Sequence, residues 1–418
     1  MKKENEKFDV AVIGGGPAGM IAAGRVAELG AKVVLVEKNQ SLGKKLLMTG
    51  GGRCNLTNIG NSNKEFTSKL GKKGKFLFSA LASFGSKEIV EFFEARGLPT
   101  KIEKNGRVFP VTDKAQDVLD VLQRYLKENK VKIFYGQEVV NFETEAGKIK
   151  SIKLKDGRIY ADKFILCTGG KSHPLTGSTG MGYAWAQTLG HQVICPAPAL
   201  VSLKTKENWS RKLQGLSLDQ AVISVFQNNK KQVAVAGEIL FTHFGLSGPA
   251  IINLSKRIGE LLAGGEVSIA IDFMPGINFS ELDKNLQQDF KKNINKDLKN
   301  YLPKLLPQKL ANEIIILSGI EPKRKLNFVT QEERGRIINL LKGLRLTVAG
   351  LLGFDQAMVT SGGINLKEID SKTMRSKIVS NLFLAGEIID LDGPTGGYNL
   401  QICWSTGYAA GTHAAGNK

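Results

Sequence analysis

Gly14, Gly16 and Gly19, within Gly14-Gly15-Gly16-Pro17-Ala18-Gly19, are the first residues whose spacing can do chemistry. A G-x-G-x-x-G signature carries weight only where a strand precedes it and a helix follows. Here the apolar run Phe8–Ile13 leads in, and helical spacing from Pro17 to Leu29 leads out, stopping at Gly30. In that setting Gly14 allows the tight turn, Gly16 lets a pyrophosphate approach the backbone, and Gly19 lets helix and strand pack. The free N–H groups and partial positive charge of the helix start, with Pro17 and Ala18 in its first turn, favour phosphates. Glu37 ends a second strand, Lys32–Glu37, and stands 18 residues after Gly19. An acid there accepts hydrogen bonds from an adenosine ribose and disfavours a 2′-phosphate. This pattern predicts a dinucleotide site.

Three further glycine-rich stretches extend the prediction. Thr49-Gly50-Gly51-Gly52-Arg53-Cys54-Asn55 follows Lys44 and Lys45 and reads as a loop wrapping an anionic cofactor. Gly51, Gly52, Arg53, Cys54, Asn55 and Lys45, with Lys38 and Val139, are expected cofactor contacts. Thr168-Gly169-Gly170 lies close to Gly177-Ser178-Thr179-Gly180-Met181-Gly182, and two such turns so near each other point to a ligand. The last stretch runs from Ala385-Gly386-Glu387 through Asp390 and Asp392 to Gly396-Gly397-Tyr398-Asn399. A helix start there suits the pyrimidine edge of a flavin, whose reduced form is negative, and Glu387 or Asp390 suits ribityl hydroxyls. His243, in Phe241-Thr242-His243-Phe244-Gly245-Leu246-Ser247-Gly248-Pro249, reads either as a satisfied structural histidine or as part of a substrate-facing loop.

The four cysteines, Cys54, Cys167, Cys195 and Cys403, form no CxxC pair and have no metal-ligand spacing, so no metal is expected. Disulfide-reducing flavoenzymes place a CxxxxC pair at this point, and here the partner position of Cys54 is Ile59, so that dithiol relay is not expected. So few cysteines suit a reducing cytosol, and a cytoplasmic location is expected. The N-terminus reads straight into a strand with no signal peptide, and no apolar run reaches membrane-span length. The net charge is +19. A lysine-rich solubilised surface explains it more simply than a nucleic-acid partner: residues 273–340 hold 12 Lys/Arg against 8 Asp/Glu. The run Lys64, Lys69, Lys72, Lys73 and Lys75 is more one-sided but reads as lacking interleaved stacking aromatics.

The elements that must position these residues follow from periodicity. The opening strand–helix–strand is a βαβ unit. Lys87–Arg96 and Lys114–Asn129 read as amphipathic helices, 131–161 as a small β-meander, and Lys163–Cys167 as a buried strand. The expected fold is α/β: a cofactor domain whose glycine-rich turns recur at both ends, interrupted by a β-barrel or sandwich insertion and a helical, lysine-rich stretch. The cofactor domain is expected at 1–193 and 355–418, the β insertion at 194–274 with a return strand in 341–354, and the helical insert at 275–340.

The stretches VIGGGPAG, MTGGGRCNLTN, GRVFPVTDKAQDVLD, TGGKSHPLTGSTGMGYAWAQTLGH, FTHFGLSGPAII and AGEIIDLDGPTGGYNLQICWSTGYAAG together resemble the BaiN-type and aminoacetone-oxidase-like flavoproteins, also called NAD(FAD)-utilising dehydrogenases. The GSTGMG turn also looks like the flavin loop of fumarate-reductase-type enzymes. The resemblance spans nearly the whole chain and implies FAD in a discontinuous Rossmann-like domain, with an inserted β-barrel domain and a small helical domain. Its members are linked to steroid ring reduction and to amine oxidation, so it implies the cofactor more firmly than the substrate. No second G-x-G-x-x-G with a following acid is present, so NAD(P)H is expected at most as a transient electron donor. The expected function is hydride transfer between flavin N5 and a small organic substrate near His243, Arg107 and Tyr398, with His243 and Tyr398 as proton donors. The rival is a tRNA-modifying or other nucleic-acid-acting flavoprotein.

Overall fold

Val10, Ala11, Val12 and Ile13 are fully or almost fully buried, as a central parallel strand requires. In the computed structural model, which describes residues 7–60 and 62–416, they belong to the strand Lys7–Ile13. It pairs in parallel with Val33–Val36 on one side and with Gly157–Leu166 on the other. Lys132–Phe134 extends the sheet beyond Val33–Val36, and Leu382–Leu384 joins Gly157–Leu166 in parallel. The meander strands Val139–Glu145 and Lys148–Leu154 add antiparallel edges to the same sheet. The buried strand expected at Lys163–Cys167 is the end of the longer strand Gly157–Leu166. Its first half is ordered by the antiparallel register Leu154↔Gly157 to Ser151↔Tyr160, so the two halves form one element.

Helix Pro17–Glu28 follows the first glycine turn, with Pro17 in the position where a missing N–H loses nothing. The long helix Tyr398–Ala415 packs along it. A Cβ on Gly407 would lie 2.4 Å from the Ala18 carbonyl oxygen, and one on Gly411 2.6 Å from that of Ala22. The two helices approach backbone to backbone because both positions are glycine. Ala115–Glu128 and Ser86–Glu94 are the amphipathic helices expected from their periodicity. A three-stranded sheet of Thr57–Asn58, Arg107–Pro110 and Thr100–Glu103 also forms in this part of the chain.

The chain divides into two compact units, one running to Pro198 and resuming at Phe354, the other Ala199–Gly353. Each has its own apolar core. The second unit contains a closed six-stranded barrel, in the order Leu203–Thr205, Gly245–Ser247, Lys230–Phe241, Ser217–Gln227, Val267–Asp272 and Leu344–Leu351. Alternate residues Ile223, Val225, Ile269 and Ile271 point inward and are fully buried. Helices Phe279–Lys292, Leu298–Tyr301, Gln308–Ser318 and Gln331–Gly343 make up the lysine-rich part. Asn278 and Thr330 cap two of them by accepting from Glu281 N–H and Glu333 N–H. Among the described residues no helix is long and apolar enough to cross a membrane.

Candidate functional site

Strands of the first unit end in glycine turns, and the turns converge on one cavity. Gly14, Gly15, Gly16, Pro17 and Ala18 line it at one place, Thr168 and Gly169 with Thr176–Gly182 at a second, and Gly386, Glu387, Asn399 and Leu400 at a third. Three helices begin there: Pro17–Glu28 after Gly16, Met181–Thr188 after Gly180 and Tyr398–Ala415 after Gly397. None of the three has a side-chain cap or an acid in its first turn. Apart from the Gly397 N–H, which Asn55 takes, their leading N–H groups are therefore left for a ligand.

Glycine is required at the tightest of these points. A Cβ on Gly14, at φ +104, would meet the Cys167 carbonyl oxygen at 2.5 Å, whereas Gly16 has nothing within 4 Å and leaves its side open. Glu37 is buried and braces the turn: its carboxylate accepts from Gly15 N–H at 2.7 Å, Asn39 N–H at 2.8 Å and Asn39 Nδ2 at 2.7 Å. Asn39 Nδ2 also donates to the Thr176 carbonyl, and Lys38 Nζ donates to Thr179 Oγ1. The first and second glycine turns are thus tied together through residues 37–39.

A part-buried polar knot closes another side. Lys45 Nζ donates to Ser172 Oγ at 2.6 Å and pairs with Glu387 Oε2 at 2.7 Å. Glu387 Oε1 accepts from Ser172 Oγ and from Thr360 N–H, both at 2.8 Å. Burial pushes the Glu387 carboxyl up, but Lys45 and these hydrogen bonds outweigh it and hold the group below its ordinary value. Ser172 and Thr360 were not singled out from sequence, because neither sits in a glycine motif. The glycine pairs beside them, Gly169-Gly170 before Ser172 and Gly362-Gly363 after Thr360, are the local signals that could have found them.

The loop after Lys45 sets Leu46 and Thr49 on the cavity and ties its arginine to two acids. Gly51 and Gly52 take φ of +67 and +87 and face open space, and neither lines the cavity. The Arg53 guanidinium turns to Glu103 and Asp113 and stacks 4.0 Å from the centre of the Phe109 ring. Asn55, with its amide oriented to satisfy its neighbours, accepts from Gly397 N–H at 3.0 Å and donates to the Thr57 and Val108 carbonyls. Cys54 is fully buried, and burial pushes its thiol up to about 12. Cys167 and Cys403 line the cavity; burial pushes both thiols up, Cys403 to about 12.

The C-terminal turn is held from several directions. Asn399 bridges it, accepting from Gly393 N–H and donating to the Gly393 carbonyl, both at 2.9 Å. Asn58 Nδ2 donates to the Gly396 carbonyl, and Asp390 pairs with Lys73 at 2.5 Å. A Cβ on Gly397 would lie 2.3 Å from the Thr57 carbonyl oxygen. The Tyr398 ring packs 4.7 Å from that of Phe66, and burial raises its phenol. Of the remaining expected residues, Val139 lines the cavity, while Gly19 and Gly170 pack behind it against Gly14 and Thr360. Arg107 is paired with Glu103 at 3.5 Å. His243 lies in the second unit, exposed in the turn between Lys230–Phe241 and Gly245–Ser247.

The cavity fits a dinucleotide by an independent sign. Thr168 Oγ1 and Trp185 Nε1 are buried cavity-lining polar atoms with no protein partner. Such groups are costly to bury unpaired, and a polar ligand in the cavity would satisfy them. Met358, Val359, Leu391 and Ile402 supply the apolar lining that the glycine motifs did not indicate.

Comparison with known proteins agrees with this architecture. A model of the HI0933-like protein Rossmann domain matches residues 8–413. A Clostridium scindens protein named 3-dehydro-bile acid delta(4,6)-reductase is 34% identical over 97% of this chain and 98% of its own length. An Escherichia coli protein named ribosomal RNA dihydrouridine synthase is 30% identical over 97% of each. Among solved structures, 3-ketosteroid-delta4-(5alpha)-dehydrogenase from Rhodococcus jostii matches with a TM-score of 0.56 and 16% identity, over 100% of this chain and 98% of that one. That likeness is one of fold.

Proposed function

Because the chain belongs to the HI0933-like family and is an FAD-dependent oxidoreductase, we propose that it reduces a carbon–carbon double bond conjugated to a carbonyl in a small organic substrate. The observation that carries this reading is a reaction common to two differently named relatives. By their names, one saturates bonds of a 3-dehydro bile acid and the other makes dihydrouridine. Each adds hydrogen across a double bond conjugated to a carbonyl.

Bound FAD supplies hydride transfer at N5, to one carbon of the double bond while a proton reaches the other. The protein's residues bind, orient and donate. The uncapped helix starts after Gly16 and Gly180 receive the phosphates, and Glu37 receives the adenosine ribose while holding Gly15 in place. Lys45 and Glu387, locked by Ser172 and Thr360, fix the polar middle of the site. The helix start after Gly397, tied to Asn55, favours negative charge next to it. Tyr398, kept protonated by burial, is the proposed proton donor. NAD(P)H is the proposed electron donor, bound transiently.

Anaerobic stopped-flow spectroscopy tests this. NADH or NADPH should bleach the flavin, and a 3-oxo-4-ene steroid should restore its colour. Failure of both nicotinamides moves the electron source elsewhere. Reoxidation by O₂ alone, with no response to any enone, overturns the reductase reading.

A second reading has its own support: the substrate is a uracil within RNA. The net charge of +19 suits a polyanion, and the Escherichia coli relative carries an RNA substrate in its name. Unmodified ribosomal RNA reoxidising the reduced flavin, where free enones do not, would select it.

A further inference from the structure

Between Glu65 and Glu88 the chain has no acidic residue, but it has Lys69, Lys72, Lys73, Lys75 and Lys87. The structure sorts this segment into two faces. Helix Asn63–Lys69 is followed by a turn of 3₁₀ helix, Gly71–Leu77, which runs directly into helix Phe78–Ser83. In a 3₁₀ helix side chains three apart eclipse one another, about 6 Å apart at a rise of ~2.0 Å per residue. Lys72, Lys75 and Phe78 are spaced in this way, and all three are exposed. Phe78 is 50% exposed, a large aromatic surface beside two ammonium groups. Lys69, also exposed, ends the preceding helix.

The other face points into the first unit. Phe66, Leu70 and Leu77 are buried in its core, and Phe66 carries the Tyr398 ring. Lys73 reaches in to pair with the buried Asp390. The segment therefore has one lysine committed to the C-terminal turn of the site. Among the described residues Lys69, Lys72 and Lys75 are in no ion pair. Lysines that solubilise a surface are ordinarily interspersed with acids; here 22 consecutive residues carry none.

We infer that Lys69, Lys72, Lys75 and Phe78 form a docking surface for single-stranded RNA, the lysines tracking its phosphates and Phe78 stacking on a base. This rests on the second reading above, that the substrate is RNA, and adds where the strand is held: on the outer face of the element whose inner face packs against Tyr398 and Asp390. Charge complementarity argues for a polyanion, and an exposed aromatic in line with the charges argues for unpaired bases. An aromatic ring adds little to a duplex, whose bases are already stacked.

Fluorescence anisotropy of a labelled single-stranded RNA of mixed sequence, titrated with the FAD-loaded full chain at several salt concentrations, tests the proposal. Lys72→Glu/Lys75→Glu should lower affinity tenfold or more. It should also flatten the plot of log affinity against log salt by roughly 0.7 per lost phosphate contact. Phe78→Ala should lower affinity about fivefold or more with the salt slope unchanged. Flavin content and melting temperature should match the parent in both, and Lys72→Gln/Lys75→Gln serves if charge reversal impairs folding. Lys230→Glu/Lys231→Glu, on the barrel, should have no effect beyond the small loss from net charge. If the parent binds RNA and the variants bind equally well, RNA docks elsewhere and this inference is wrong while the RNA reading stands. If the parent does not bind RNA even at low salt, both fall.

Discussion

Cys54 sits in the most suggestive loop of the sequence, yet its side chain is fully buried and its thiol is pushed up to about 12. A thiol so placed is not a thiolate at neutral pH, and thiolate is the reactive form. Cys54→Ser should keep FAD and keep flavin reduction by NAD(P)H or substrate; a hundredfold loss of that rate with normal FAD content, about 2.7 kcal/mol of barrier, would make the thiol catalytic. His191 is a second residue whose setting misleads. It contacts Glu368 Oε2 through Nδ1 at 3.0 Å and Ser376 Oγ through Nε2 at 2.9 Å, the order of a hydrolytic triad. Ser376 is 2% exposed and its oxygen accepts from Ile378 and Val379 N–H, so the three residues clasp chain segments together. Burial pushes the His191 imidazole below its ordinary value, against the pull of Glu368. Folded protein then binds fewer protons here than unfolded protein does. The stability from neutral His191 is full above the unfolded value of about 6.5 and is lost as pH falls below it. Melting temperature should therefore drop between pH ~7.5 and ~5.5, and His191→Asn, less stable at the upper end, should drop less across that interval.

Elements carry the site by their ends, and what sets those ends is how closely elements can pack. Helix Tyr398–Ala415 lies on helix Pro17–Glu28 through Gly407 and Gly411, with no room for a side chain at either contact. The start of each helix lines the cavity, so the packing distance between them fixes the spacing of two ligand-facing ends. Gly407→Leu would force the pair apart. Overpacking of this kind costs about 1–3 kcal/mol or more. The expected result is a lower urea midpoint together with FAD release at lower urea than in the parent, read from flavin fluorescence. A variant that loses stability but holds FAD as tightly as the parent would show that the helix starts are positioned by something else.

For the whole molecule, the two apolar cores predict two responses to the cofactor. The cavity is lined by residues of the first unit. A ligand that binds only the folded form stabilises what it binds by mass action, about 4.1 kcal/mol at a thousand times Kd. Scanning calorimetry of apo and FAD-loaded protein should show the transition of the first unit moving up with FAD. A separate transition from the barrel and its helices should stay in place. A single transition that shifts as a whole would mean that the two cores unfold as one.

The sequence by itself determined the strand–glycine–helix–strand–acid opening, because every part of it lies within about thirty residues and follows from local sterics, helix-end electrostatics and hydrophobic periodicity. The α/β class was legible for the same reason, the total charge by counting, and the flavin through the resemblance that the glycine-rich stretches carry. The tertiary structure decided which distant groups meet. It brought the turns at residues 14–19, 168–182 and 386–399 to one cavity and set Ser172 and Thr360 on Glu387. It paired Arg53, an expected cofactor contact, with Glu103 and Asp113. It also buried Phe66 and exposed Phe78, a difference that residue type and spacing alone did not predict. A charged or aromatic side chain goes to whichever partner the folded chain places within a few ångströms, and that distance is set by the path of the backbone through both units' cores, which composition and spacing do not contain.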